Sequence, residues 1–424
     1  MQPSPPPGAA ADEGPAPASD ELNVLTPDES SAPSFDDSGA ASHDEASGPF
    51  RLRVSLYPWI PEPDAFVAWI ESDFESKNPD IDLVVRPLVR SYDWEPGYVA
   101  DLAYETDKAV VALTDEAGDD FQHLVEVDTL TLGALAQSGA IAPFHVGGVS
   151  FLPAAKEAVR WDGRGFGVPH WTCGYFVISE SPFIRNAGNV GELLAALEGA
   201  GTPRVNLAGD MDGSWDSVAI YLDAFRDTYP DADLGGALSQ PQIDPAVADY
   251  FRDIRPACIK DGVNHCADDA VDLFATGGAD ALIGFSERLN PILAHPGRAV
   301  GELHIASATL GGGDEPAAFV DALVKSSRCT SARCRQAARR FATYYVSDEV
   351  FEVSLMALDA QAGVPRYLLP STKSAFNYGL VAQDRLYKQL KQEFQGARAL
   401  PNTGVPEARE AGLIRQQLRE ALGL

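Results

Sequence analysis

The residue types that could do chemistry start with sulfur. The chain holds five cysteines, and four form local pairs: Cys258 with Cys266 in Cys-Ile-Lys-Asp-Gly-Val-Asn-His-Cys, and Cys329 with Cys334 in Cys-Thr-Ser-Ala-Arg-Cys. A short loop can close either spacing as a disulfide. His265 beside Cys266 is the single hint of a metal, and zinc-type spacings between elements are missing, so no metal is expected. Two loop-closing bridges imply an oxidising compartment. The pairing leaves Cys173 over, in Gly167-Val168-Pro169-His170-Trp171-Thr172-Cys173-Gly174-Tyr175. A thiolate there could attack an electron-poor carbon if a nearby base eased its ionisation. The competing reading is a small buried hydrophobe.

Glu287 is the second candidate, in Gly284-Phe285-Ser286-Glu287 at the end of an apolar strand. Open α/β sheets bind ligands beyond the carboxyl ends of their strands. Desolvation beside Phe285 would raise the proton affinity of Glu287 into the range a general base or acid needs near neutrality; an ordinary glutamate at a helix N-terminus is the alternative. A third group is aromatic and acidic: Tyr57, Trp59, Tyr92, Trp94, Asp128, Trp215 and Asp321. Such faces and carboxylates suit a flat, cationic heterocycle through stacking, cation–π attraction and hydrogen bonds to ring amines. Each of them taken singly is more often core or solvated face than a ligand contact.

These residues must be positioned by regular elements, and the pattern is α/β. Leu52–Leu56 alternates as a strand, Phe66, Trp69, Ile70 and Phe74 recur at helical spacing over 64–77, and Asn78-Pro79 stops that helix before the strand 81–85. Strand, helix, strand at this length predicts a parallel βαβ unit. Further strands are expected at 124–127, 204–207, 281–284 and 303–305, and helices at 129–138, 215–228, 245–260, 315–327, 331–346, 349–358 and 405–422. Phe166–Pro169 reads as a crossing segment rather than core. His170, on strict strand alternation, falls on the opposite side from Cys173, which argues against a cysteine hydrolase. No GxGxxG, Walker loop, HExxH or GxSxG is present, and Gly311-Gly312-Gly313 lacks the Lys-Ser/Thr of a phosphate loop.

Composition sets the outer bounds. The 424 residues carry a formal charge of −30, so phosphate backbones and anionic lipid are repelled, and nucleic-acid binding is excluded. No apolar run is long enough to span a bilayer, and no basic segment followed by an apolar one opens the chain as a leader. Residues 1–49, built of Pro, Ala, Ser, Gly and acids without Lys or Arg, are expected to be a disordered tail, read either as a spacer to an anchor or as a solubilising leader.

Taken together, Tyr57-Pro58-Trp59-Ile60-Pro61, Glu126-Val127-Asp128-Thr129-Leu130, Val168-Pro169-His170-Trp171-Thr172-Cys173, Gly213-Ser214-Trp215, Gly284-Phe285-Ser286-Glu287 and Arg366-Tyr367-Leu368-Leu369-Pro370-Ser371 stand in the order expected for thiaminase I, or thiamine pyridinylase. The chain resembles that family over 51–424. The resemblance implies a two-lobed periplasmic-binding-protein-like α/β fold with a hinge and an interdomain cleft, with 50–165 plus 305–365 as one lobe and 166–304 plus 366–424 as the other. It implies Cys173 as nucleophile on the aminopyrimidine of thiamine, Glu287 as its base, and Asp128 and Asp321 as the carboxylates holding the pyrimidine. Tyr57, Trp59, Tyr92, Trp215 and Phe285 would line the substrate. Trp59, Phe285 and Phe319 stand where the family has tyrosine, which keeps stacking but removes hydroxyl donors, so a relative of thiamine is an alternative substrate. A nucleophilic co-substrate, an extracytoplasmic monomer and no cofactor complete the expectation. The rival class is a non-catalytic solute-binding protein of a transporter for thiamine, a related heterocycle or a sugar, which would need neither Cys173 nor Glu287.

Overall fold

Leu52 and Val54 are fully buried while Arg51 lies in solvent, so the first strand, β1 (Phe50–Ser55), presents an apolar face. The helix Pro63–Lys77 follows, opened by Pro63 and burying Phe66, Ile70 and Phe74, one turn apart along a single face. It stops at Asn78, whose side-chain amide donates to the Phe74 carbonyl at 2.7 Å. Strand β2 (Ile81–Val85) then pairs parallel with β1, Leu52 opposite Leu83 and Val54 opposite Val85. The βαβ unit expected from the sequence is formed. The computed structural model describes residues 48–57, 60–85, 106–198, 204–209, 211, 216–230, 242–267, 270–308, 310, 316–361, 363–400 and 408–424.

The remaining strands are β3 (Leu124–Asp128), β4 (Ile141–Ala142), β5 (Arg160–Trp161), β6 (Arg164–Gly165), β7 (Gly167–Cys173), β8 (Tyr175–Ser179), β9 (Val205–Gly209), β10 (Ile259–Lys260), β11 (Val263–Asn264), β12 (Ala279–Phe285), β13 (His304–Ser307), β14 (Ala317–Ser326), β15 (Leu369–Pro370) and β16 (Arg398–Ala399). Among the described residues, the larger main sheet has eight strands, in the order β15-β7-β14-β3-β1-β2 with β4 and β16 also against β14; the smaller main sheet has four, β13-β8-β12-β9, and β5-β6 and β10-β11 are separate hairpins. The chain passes from the larger sheet to the smaller at Gly174, the one residue between β7 and β8. Three apolar cores result among the described residues, the smallest packing Leu113 and Leu135 on Val125, Val127 and Val324 of the larger sheet. Phe176 and Ile178 of β8 join the first, with the helices Pro63–Lys77 and Ala332–Tyr345, while Tyr175 and Val177 face the second, against the helices Asp216–Thr228 and Pro245–Cys258.

Two sequence expectations are overturned here. The segment 315–327, expected to be helical, contains β14, antiparallel to both β3 and β7. All ten of its residues are buried, so the run Ala317-Ala318-Phe319-Val320 through Val324 has no polar face at either period and propensity alone decided wrongly. Phe166–Pro169 is not a crossing segment, since Gly167–Pro169 opens the fully buried β7.

The two expected disulfides are formed, Cys258–Cys266 and Cys329–Cys334, each with Cα atoms 5.5 Å apart. The first closes the β10–β11 hairpin. A buried ion pair ties distant segments: Arg366 meets Asp359 at 2.6 Å, both side chains wholly enclosed, and donates to the carbonyls of Pro61 and Ser354.

Candidate active site

Cys173 is the last residue of β7, unbridged and 8% exposed. Its register partner in the larger sheet is Phe319 of β14. Two residues on, Tyr175 is opposite Phe285 of β12 in the smaller sheet. Because one glycine separates the two pairings, the end of β12 and the Ser286–Arg288 turn that carries Glu287 come alongside Cys173. The rings close this corner: Tyr175 to Phe285 at 4.3 Å, and Phe285 edge-on to Phe319 at 6.2 Å. A Cβ on residue 174 would stand 2.8 Å from the Phe394 ring, so the crossing requires glycine.

Acids surround the thiol. Asp128, at the end of β3, is directly opposite Asp321 of β14. Burial is the first cause of the raised proton affinity of both, and each charge raises it further on Asp321, which is held well above the ordinary carboxyl range while Asp128 reaches about 7. The Leu130 amide donates to Asp128 at 2.8 Å and pulls the other way. Glu287, half-buried, is raised to about 7 by loss of solvent, with Arg288 opposing. Burial pushes the Cys173 thiol well above its usual value, and Asp321, Glu287, Asp128 and Glu126 push it further in that order. The resting sulfur is therefore a neutral thiol in an acidic surround, a setting that favours a cationic guest.

One expectation about this strand is corrected. A β-bulge lies where Ala322 pairs with Pro169 and Asp321 with Trp171, leaving His170 as the extra residue. The bulge undoes strict alternation, and His170 turns to Glu126 of β3, Nδ1 to Oε1 at 2.8 Å, with both side chains fully enclosed. Its ring stacks on Tyr345 at 3.5 Å. Burial outweighs the Glu126 charge and lowers the His170 pKa, so the imidazole is neutral at pH 7. Neither Glu126 nor Tyr345 was singled out as functional from the sequence, and nothing local marks them: Glu126 sits in a fully buried strand, where a carboxyl is the anomaly that could have found it.

Of the expected site residues, the structure brings Cys173, Asp128, Asp321, Phe285 and Glu287 together. Tyr57 is half-buried, its backbone amide donating to Glu126 Oε2 at 2.7 Å. Trp59, Tyr92, Trp94 and Trp215 lie outside the described residues. Among the described residues, no group of three or more His, Cys, Asp and Glu is placed to hold a metal ion, and no helix is long and apolar enough to cross a membrane.

No protein-family model matches the chain. Thiaminase-1 of Paenibacillus thiaminolyticus is 23% identical over 370 residues, 82% of this chain and 82% of that protein. Among solved structures, thiaminase I from Bacillus thiaminolyticus aligns with a TM-score of 0.67 at 19% identity, covering 88% of this chain and 100% of its own. Clostridium botulinum thiaminase I in complex with thiamin gives 0.67 at 17% identity, with the same coverage of 88% and 100%. The GacH receptor of Streptomyces glaucescens, solved unliganded and with acarbose, gives 0.62 at 16% identity over 88% of this chain and 93% of that one. The fold is the two-lobed α/β fold of periplasmic binding proteins, with its hinge and interdomain cleft, and the chain is similar to thiaminase I in sequence as well as in fold.

Proposed function

We propose that this protein degrades thiamine as a thiamine pyridinylase, moving the pyrimidinylmethyl group from the thiazole to an organic base or thiol through a covalent adduct on Cys173. The observation that carries the reading is the unbridged thiol at the sheet crossing with Glu287, Asp128 and Asp321 around it. A solute receptor of this fold has no need of a thiol there, nor of a carboxyl poised near neutrality.

In this reading Glu287 takes the thiol proton as sulfur bonds to a ring carbon of the pyrimidine. The ring electrons then break the bond between the methylene and the thiazole nitrogen. The thiazole leaves neutral, because it carried the positive charge. The incoming amine or thiol bonds to the methylene, the sulfur–carbon bond breaks and aromaticity returns; the surplus proton leaves through Glu287. Asp128 and Asp321, one of them protonated, can both accept from and donate to an aminopyrimidine edge. The cation of the substrate offsets the acidic surround that holds the thiol neutral, so ionisation is easiest with substrate in place. Closure of the lobes over the corner would exclude water and favour organic nucleophiles over hydrolysis. The two disulfides support an extracytoplasmic setting, and a monomer without metal or cofactor belongs to the same proposal.

The test is incubation with thiamine plus pyridine or aniline, following thiazole release. Turnover that Cys173→Ala abolishes supports the reading. Tight reversible thiamine binding, without turnover by the parent protein under any organic base, would overturn it in favour of a receptor.

A further inference from the structure

Glu126 holds together the elements that carry the site. Its strand, β3, ends two residues later in Asp128, on the same face. Its Oε1 bonds His170, the bulged residue of β7, three positions before Cys173. Its Oε2 accepts from the Tyr57 amide at 2.7 Å, just beyond the point where the β1–β3 ladder stops at Ser55, and from the Tyr345 hydroxyl at 3.1 Å. One enclosed carboxylate thereby accepts from a backbone amide just past the end of the β1–β3 ladder, fixes the ring of the bulge, and links to the helix Ala332–Tyr345.

We infer that Glu126 is a positioning residue for the reaction, setting Cys173 and Tyr57 relative to Asp128 through His170, the Tyr57 amide and Tyr345. This rests on the proposed role of Cys173. Glu126 touches no reacting atom; it acts through the strand and the turn it pins. What matters is its pattern of hydrogen bonds rather than its charge. Glutamine can keep that pattern, because its oxygen can accept from Tyr57 and Tyr345 while its amide donates to the other tautomer of His170.

The experiment compares Glu126→Gln, Glu126→Ala and Tyr345→Phe in the full chain. It reads thiazole release from thiamine, and separately the pH midpoint of Cys173 alkylation by iodoacetamide. Both Glu126 variants remove a negative charge that raises the thiol, so both midpoints should fall alike. Turnover should divide them: Glu126→Ala loses on the order of a hundredfold in kcat/KM, as misplacement of reacting groups does, while Glu126→Gln recovers most of it. If turnover is equally poor in both, charge governs and the inference is wrong. It is equally wrong if a folded Glu126→Ala turns over like the parent protein. Should the alanine variant not fold, Tyr345→Phe decides: a severalfold loss at an unchanged melting temperature supports positioning, and no loss overturns it. Alkylation needs no thiamine, so a parent protein that fails to cleave thiamine sinks the proposed activity by itself, distinguishably from this comparison.

Discussion

Lowering the pH should switch the reaction off earlier than an ordinary carboxylate base would allow. Glu287 is the proposed base, and burial raises it from 4.5 to about 7. At pH 5.5 a carboxyl of pKa 4.5 is still about 90% ionised, whereas one near 7 is only about 3% ionised; kcat/KM should therefore fall about thirtyfold from its plateau instead of by about a tenth. Asp128 also titrates near 7, so the acidic limb must be assigned. Arg288 is the charge that most opposes the rise on Glu287, and its contact with Asp216 at 3.5 Å restrains a second group that raises it. Removing Arg288 thus acts in one direction from both sides: Arg288→Ala should move the limb to higher pH. Asp128→Asn should lower activity but leave the limb where it is, since Asp128 is not among the charges that shift Glu287. The assay is kcat/KM for thiazole release across pH 5 to 9 with pyridine in excess. A parent midpoint near 4.5, or a limb that moves down in Arg288→Ala, refutes the reasoning.

Other perturbations have equally definite outcomes. Cys173→Ala should reduce turnover by at least about a thousandfold while thiamine still binds in calorimetry, because the covalent step is lost and the aromatic and acidic contacts remain. Asp128 and Asp321 bind their protons more tightly folded than unfolded, so the stability they contribute is present below the ordinary carboxyl range and is lost as pH rises above it, through about 7 for Asp128. Asp321→Asn should accordingly melt higher than the parent at pH 8 and equally near pH 4, as scanning calorimetry would read. Removing the Cys329–Cys334 bridge with two serines should cost about 2 kcal/mol in urea unfolding, as its short loop implies, with kcat unchanged. Arg366→Met leaves Asp359 enclosed without its partner and should destabilise by about 3–5 kcal/mol, far more than loss of an exposed pair such as Arg51–Asp82.

The parts of the molecule legible in the sequence were those with local signals. The helix Pro63–Lys77 announced itself by Phe66, Ile70 and Phe74 and by its stop at Asn78-Pro79; the disulfides announced themselves by spacing, and Cys173 by remainder. β14 could not be read, because a strand covered on both faces shows no alternation, and alanine and leucine bias such a run towards helix. The bulge was equally invisible: one residue of register slip at Asp321 depends on β7 and β14, more than a hundred positions apart, agreeing on a pairing. Strict alternation therefore misplaced His170, and with it the link to Glu126. Glu287 and Cys173 could be named separately, but their shared corner is a consequence of Tyr175 pairing with Phe285 in a second sheet.

That corner has a mechanical side. Gly174 joins a strand of one sheet to a strand of the other, and Cys173 is its immediate neighbour. When two bodies turn about a joint, points beside the joint sweep the shortest arcs. A turn of one sheet against the other about Gly174 would leave the sulfur fixed with respect to Asp128 and Asp321 on its own sheet, and would move Glu287, borne beside the same joint by Phe285 opposite Tyr175, only slightly. Thiol and carboxyl would then keep their spacing through such a turn, and the parts farthest from the glycine would do the travelling.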